Sequence, residues 1–473
     1  MRNPFPILRV FLAGLIFLTA LPSNIYAQPL TAVQNYAVNR PGVVMVRTVF
    51  SADVYVNKMQ LDSRHFNQLV DSIQKADSSG IIYTAEQKLD IVLKEINNHP
   101  SRFFKASLDY IKEPEEITSS GTGFLVTEDG FVATNCHLID RDNAFIRRQF
   151  FLSAFQQITE ANISALENAW ATRFSEQQKS ILENTYASVY ARLFSMALYD
   201  LKKEIFIEYS VDAENGTTGS VKKSAHVIIK GQPMPGKDIA ILKMEGDSTL
   251  PTLKIAEDEL PKVGEQLFVY GFPGPVTNNN YVATESAIEP TLTTGIVSAL
   301  KKSVAGWPLI QMDANINRGS SGGPVCNEKG EVVGLTTFGS IENSGGLAAG
   351  LNFAIPVSIL QEYLDSAGVM ARRSETSRIF GDAVVFYDHE FYSDALNKFR
   401  EVQELNKHFP GLAYYINDSE KRLRQKDEKK SSMIRTDLLV FGVFLFAAIM
   451  LFRYFRKKRP KLIYKKKDIH SGL

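Results

Sequence analysis

The sequence predicts a mainly β fold: a β-barrel pattern with helical insertions, then a C-terminal helical segment and one transmembrane helix. Three observations predict it. Short apolar segments with a period near two recur between turn signals, among them "GVVMVRTVF" (42–50), "GTGFLVTEDGFVATN" (121–135), "SAHVIIK", "DIAILKM", "QLFVYGF", "TTGIVSAL", "EVVGLTTFG" and "LNFAIP". The Asp129-Gly130 pair falls between two of these runs, where it favours an antiparallel hairpin. Near the C-terminus, residues 438–452 ("LLVFGVFLFAAIMLF") carry no charge.

Taken in order, the chain begins Met-Arg, is mostly apolar over residues 5–21 and continues "SNIYAQP". A charged start, an apolar stretch and a small-residue site after Ala27 predict a cleaved signal peptide over 1–27 and an exported mature chain. The first barrel is expected over 28–245, interrupted by helical insertions at about 58–117 and 140–204. In the second insertion Ile163, Leu166, Trp170 and Phe174, then Ile181, Tyr186, Val189 and Leu193, recur at the spacing of amphipathic helices. Aromatic stripes of this kind are packing faces rather than cofactor boxes. The barrel pattern resumes over 246–366, the part that the resemblance given below implies is a second barrel.

Residues 367–436 read as a helical linker. Within it "FYSDALNKF" followed by Pro410 is similar to the Ala-x3-Phe…Pro element of a tetratricopeptide repeat, with Ala395 and Phe399 between two helices. There is one copy, so a plain helical hairpin fits the residues equally. The span is expected over 437–455, with Asp437 and Arg453 at its edges. The basic tail 456–473 then reads as the cytoplasmic flank, which leaves 28–436 outside the cytoplasm.

Composition limits the partners. The 473 residues carry 53 Lys and Arg against 52 Asp and Glu, a formal charge of +1 that gives no case for nucleic acid. Cys136 and Cys326 are too few for a disulfide framework, and both lie in apolar sequence, so two buried free thiols are expected.

The chemistry centres on "NRGSSGGPV" (317–325). A serine hydroxyl is a poor nucleophile at neutral pH and needs a base that is itself held by a third group. His137 directly follows the strand "GFVATN" and Cys136, where a barrel edge would present it. Asp238 leads into the apolar strand "DIAILKM", where a carboxylate can be buried against an imidazole. The Gly-Ser-Ser-Gly stretch lets backbone N–H groups converge, and those of Gly319 and Ser321 could bind a developing oxyanion.

Six segments in this order, "TNCHLI" (134–139), "KDIAILKM" (237–244), "TTGIVSAL" (293–300), "MDANINRGSSGGPV" (312–325), "GEVVGL" (330–335) and "GLNFAIP" (350–356), resemble the HtrA/Deg branch of the chymotrypsin-fold serine proteases. The similarity covers roughly 36–366, the insertions excepted. It implies a chymotrypsin-like double β-barrel and a serine endopeptidase acting on unfolded or misfolded polypeptides, with no metal or organic cofactor. His137 would be general base and then acid, Asp238 would hold its tautomer, and Ser321 would attack the scissile carbonyl. Ser320 would be a neighbour, because only Ser321 stands two residues after the oxyanion-hole glycine and directly before Gly-Gly-Pro. Asn315, six residues before Ser321, falls where this fold lines its primary substrate pocket; a neutral residue there argues against strict selection of Arg or Lys. The likeness also implies a homotrimer through about 35–44.

The chain departs from that pattern in places. No segment after the barrels reads as a peptide-binding PDZ domain. Cys136 stands where alanine is more usual, Ser320 where asparagine is common, and the long insertion after His137 is unusual in the family. Two other readings compete. "GSSGG" also fits the Gly-x-Ser-x-Gly elbow of α/β-hydrolases, with His389 or His408 downstream, but that elbow requires a helix after the serine. The other is a catalytically silent protease-fold scaffold that binds partners through its helical segments.

Overall fold

The computed structural model describes residues 29–80, 83–193, 196–213, 218–246, 248–257, 260–274, 288–341 and 347–425, with 442, 444–451 and 453. The expected signal peptide at 1–27 and tail at 456–473 lie outside these residues, and the expected span at 437–455 falls on them only in part. Among the described residues no helix is long and apolar enough to cross a membrane.

Helix α1 (Ala32–Asn39) opens with a reciprocal cap, in which the Thr31 hydroxyl accepts from the Gln34 N–H at 3.2 Å and the Gln34 side chain accepts from the Thr31 N–H at 2.9 Å. A 3-10 turn at Arg40–Gly42 leads into β1 (Val43–Leu61). Along β1 Thr48, Phe50, Ala52, Val54 and Val56 are buried while their neighbours are half-buried, the two-residue period of a strand with one covered face. Helices α2 (Ser63–Ser78), α3 (Ala85–Asn98) and α4 (Pro100–Phe103) follow, then β2 (Phe104–Leu125) and β3 (Phe131–Thr134). The Asp129-Gly130 pair forms the turn between these two strands, with Gly130 at φ +98°. Next come α5 (Cys136–Ile139), α6 (Asn143–Ala169), α7 (Glu176–Leu193), β4 (Met196–Asp212), β5 (Thr218–Lys230) and β6 (Ala240–Met244). The first barrel closes in the order β1-β2-β3-β6-β5-β4.

The helical insertions are shorter than the sequence suggests. β1 pairs with β2 as far as Leu61↔Phe104 and with β4 as far as Val56↔Met196, so 104–117 and 196–204 extend the barrel strands as a three-stranded ribbon. Phe50, Ala52, Val54 and Val56 on one ribbon face pack against Ile146, Phe150 and Ala154 of α6 and Leu182, Tyr186 and Val189 of α7. Helices and ribbon therefore share one core, apart from those of the barrels. Pro114 is tolerated in β2 because, among the described residues, the ribbon part of that strand pairs with β1 alone.

The second sheet comprises β7 (Lys254–Ile255), β8 (Gln266–Gly271), β9 (Thr291–Lys302), β10 (Pro308–Met312), β11 (Pro324–Cys326), β12 (Glu331–Ile341) and β13 (Leu347–Pro356). Its order is β11-β8-β9-β10-β13-β12-β7, and a further β11–β12 pairing closes six of the strands into a ring. An apolar cluster joins the two barrels: Val43, Phe124 and Ile241 of the first pack with Phe268, Tyr270 and Leu335 of the second. Helix α8 (Val357–Ser366) adds Ile359, Leu360 and Leu364 to it.

The chain ends in α9 (Glu375–Asp388), α10 (Tyr392–Leu405) and α11 (Leu412–Arg424). Ala395 and Phe399 are buried here, with Phe399 stacked on Tyr415 and tilted against Phe380. These helices pack on one another around a core of their own. Their core includes Ala37 and Val38 of α1, and Asp212 at the end of β4 accepts the Gly411 and Ala413 N–H groups, each at 2.7 Å, at the start of α11. Most of 35–44 is thus buried within its own chain. Helices also account for more residues than strands, so "mainly β" describes the barrels and not the whole chain.

Candidate active site

His137 lies on α5, the single turn that follows β3, and Asp238 two residues before β6. β3 and β6 are paired, Thr134↔Ala240 being the last pair, so the two segments leave the barrel side by side. The Asp238 carboxylate is fully buried. It accepts twice from His137, from the backbone N–H on Oδ1 at 2.8 Å and at ring Nδ1 on Oδ2 at 2.6 Å. The Asn135 side chain donates to the Asp238 carbonyl at 2.7 Å, fixing the backbone as well. A bond from Nδ1–H leaves Nε2 as the acceptor nitrogen, and the His137 side chain, 24% exposed, can meet a solvent-side proton.

Ser321 comes from the second barrel, in the loop before β11. Two glycines shape that loop. Gly319 has φ +99° and Gly322 φ +82°, and a Cβ on Gly322 would lie 2.2 Å from the Thr122 carbonyl oxygen. Strand β2 clasps the loop: the Thr122 hydroxyl donates to the Gly319 carbonyl at 2.7 Å and the Thr122 N–H to the Ser321 carbonyl at 2.8 Å. Among the described residues the Gly319 and Ser321 N–H groups meet no acceptor, whereas those of Ser320, Gly322 and Gly323 all do.

Thr337 on β12 joins the halves, and sequence reasoning missed it. Its hydroxyl donates to Asp238 Oδ2 at 2.9 Å, while its carbonyl accepts the Ser321 hydroxyl at 3.2 Å. Ser320 is buried and points elsewhere, its Oγ accepting from the Asn317 N–H at 3.4 Å. Asn315 is exposed, and its carbonyl accepts from the Thr293 hydroxyl at 2.9 Å. The structure thus brings His137, Asp238 and Ser321 to one junction and sets Asn315 on the loop that leads to Ser321.

Cys136 and Cys326 are free and buried. Burial, aided by the Asp238 charge, pushes the Cys136 thiol up to about 12, and its sulfur donates to the Gly231 carbonyl. Neither thiol is a nucleophile in this setting. The hydrolase-elbow reading fails on geometry: strand β11 follows Ser321 where that elbow needs a helix, and His408 is held at the Asp212 carbonyl beside α11.

Residues 121–335 match the family described as "Trypsin-like peptidase domain". Among curated proteins the chain is similar to a probable periplasmic serine endoprotease DegP-like of Pseudomonas putida (strain F1), 36% identical over 147 residues, which are 30% of this chain and 27% of that protein. A protein of the same description from Hahella chejuensis is 28% identical over 256 residues, 53% of this chain and 36% of the relative. The chain thus spans about a quarter to a third of the length of these relatives. A crystal structure of the serine endoprotease from Yersinia pestis aligns with 72% of this chain and 67% of that one at a TM-score of 0.32 and 17% identity.

Proposed function

We propose that this chain, which belongs with the HtrA/Deg trypsin-like serine proteases, is a serine endopeptidase in which Ser321 is the nucleophile, His137 the base and Asp238 its orienting carboxylate. The observation that carries the reading is the link from the buried Asp238 to His137 at 2.6 Å and, through Thr337, to Ser321.

In the resting site the Ser321 hydroxyl sits on the Thr337 carbonyl. With a substrate peptide in place it turns to His137 Nε2, and Oγ attacks the scissile carbonyl carbon while its proton passes to that nitrogen. Asp238 stabilises the imidazolium that forms, and the imidazolium gives the proton to the leaving amine. Water, activated by the same nitrogen, then hydrolyses the acyl-enzyme. The unengaged N–H groups of Gly319 and Ser321 receive the oxyanion, for which such donors are worth about 3–4 kcal/mol each. Asn315 lines the primary pocket, which suits a neutral or small polar side chain better than Arg or Lys.

The reading places the catalytic part outside the cytoplasm, on the periplasmic side, supported by the signal-like start of the sequence and by relatives described as periplasmic. Residues 437–455 tether it to the membrane; Phe444, Phe446 and Leu451 within that stretch are helical and exposed. Substrates are unfolded or misfolded polypeptides. An active-site-directed fluorophosphonate tests the reading. Peptide mapping should find the adduct on Ser321, and denaturation before treatment should abolish it. An adduct on Ser320, or none under conditions in which the chain is folded, would sink the assignment.

A further inference from the structure

Helix α6 is apolar on two faces; one is buried, and the other is covered only in part, with Phe151 and Phe155 half-buried against the same core and Leu152 exposed. Ile146, Phe150, Ala154 and Ile158 recur every four residues on the face that packs against the ribbon. A second stripe, Phe151, Leu152 and Phe155, lines an open groove of about 880 Å³ between α6 and α7, and Leu152 remains 52% exposed there. Across the groove Ala187 and Ala191, one helical turn apart, keep the α7 wall low. The Tyr190 ring meets Phe155 edge-on at 5.7 Å and forms the floor. The lining contains two guanidinium groups, Arg147 and Arg148, and no carboxylate.

Leu152, with the half-buried Phe151 and Phe155, leaves apolar surface that a partner can cover. A trough between two helices with one low wall has the shape that receives a third helix. Its α6 side runs from Ala144 to Phe155, roughly 17 Å at 1.5 Å per residue, which is about three turns of an occupant. Charge complementarity sets the occupant's polar flank. We propose that this groove docks an amphipathic helical segment of a partner protein, with apolar side chains at i, i+3, i+4 and i+7 between α6 and α7 and carboxylates against Arg147 and Arg148. A concave trough favours such a segment over a lipid surface, which is met by a convex apolar ridge. The proposal stands whether or not Ser321 is a nucleophile.

The test is fluorescence anisotropy of a labelled 18-residue helical peptide, with leucines at that spacing and glutamates on its flanks, titrated with the full chain. Saturable binding is expected. Arg147→Glu with Arg148→Glu should weaken it at least about tenfold, as should Leu152→Asp. A peptide with lysines in place of the glutamates should bind wild type weakly and the double variant well, a reversal that also shows the variant to be folded. Absence of saturable binding, or equal affinity of both peptides for wild type, overturns the proposal. It also falls if the double substitution abolishes co-sedimentation with phosphatidylglycerol vesicles while peptide affinity is unchanged, because the surface would then be a lipid site.

Discussion

The Thr337 hydroxyl donates to Asp238 Oδ2 at 2.9 Å, on the same oxygen that faces His137 Nδ1 at 2.6 Å. Thr337 thus fixes the carboxylate from the second barrel while His137 fixes it from the first, and Asn135 holds the Asp238 backbone carbonyl. Hydrogen bonds to a charged group contribute about 1.5–3 kcal/mol, so Thr337→Val should lower kcat/KM by roughly 10- to 150-fold. Thr337→Ser, which keeps the donor, should recover most of that. Equal activity of all three proteins would remove Thr337 from the machinery.

The loop before β11 depends on positive φ. Gly322→Ala sets a Cβ against the Thr122 carbonyl oxygen and the Thr134 hydroxyl, at 2.2 and 2.5 Å, in a backbone region that L-residues avoid. Peptide hydrolysis should drop at least about a hundredfold while far-UV circular dichroism stays unchanged. Near-normal turnover would mean that the loop's observed shape is not the one that works.

Asp212 ties the first barrel to the C-terminal helices. Its carboxylate accepts two N–H groups at the positively polarised start of α11, so Asp212→Ala should weaken docking of that bundle by about 2–4 kcal/mol. Asp212→Asn, still an acceptor but uncharged, should lie between. Limited proteolysis reads this as earlier cleavage after residue 388 in the order Ala, Asn, wild type. An unchanged cleavage pattern in Asp212→Ala would contradict it.

Cysteine chemistry supplies a pH test. With the Cys136 thiol pushed up to about 12, its thiolate fraction at pH 8 is roughly one in ten thousand. Burial pushes Cys326 up as well. The native chain should therefore take up no iodoacetamide at pH 8, and both cysteines should label after unfolding. The sign for stability follows. The unfolded chain releases these protons near the ordinary thiol value of about 8.5, before the folded chain does, so stability is full below that pH and falls as pH rises toward 12. A free-energy profile that rises over this window would count against the burial.

His137, Asp238 and Ser321 are legible in the sequence because each lies in a short motif whose neighbours define a strand end or a glycine-shaped loop. Thr337 is not, because its role exists only where β12 passes Asp238, 99 positions away along the chain. Asp212 reads as one acid at a strand end, and its partners Gly411 and Ala413 lie 199 and 201 positions further on. The extension of β2 through 104–117 is hidden for another reason. Lys105, Asp109, Lys112 and Glu116 are solvated on a ribbon with one covered face, so charge obscures the two-residue period. The helices that cover that face read correctly as amphipathic, but their contact with strands cannot be read from either segment alone.

The most direct measurement is cleavage of casein by the full chain, comparing wild type with Ser321→Ala and Ser320→Ala. Loss of a catalytic serine costs about 10⁴- to 10⁶-fold, so Ser321→Ala should be inert and Ser320→Ala active. If wild type is inert, or if Ser321→Ala still cuts casein, the chain does not act as a Ser321 protease.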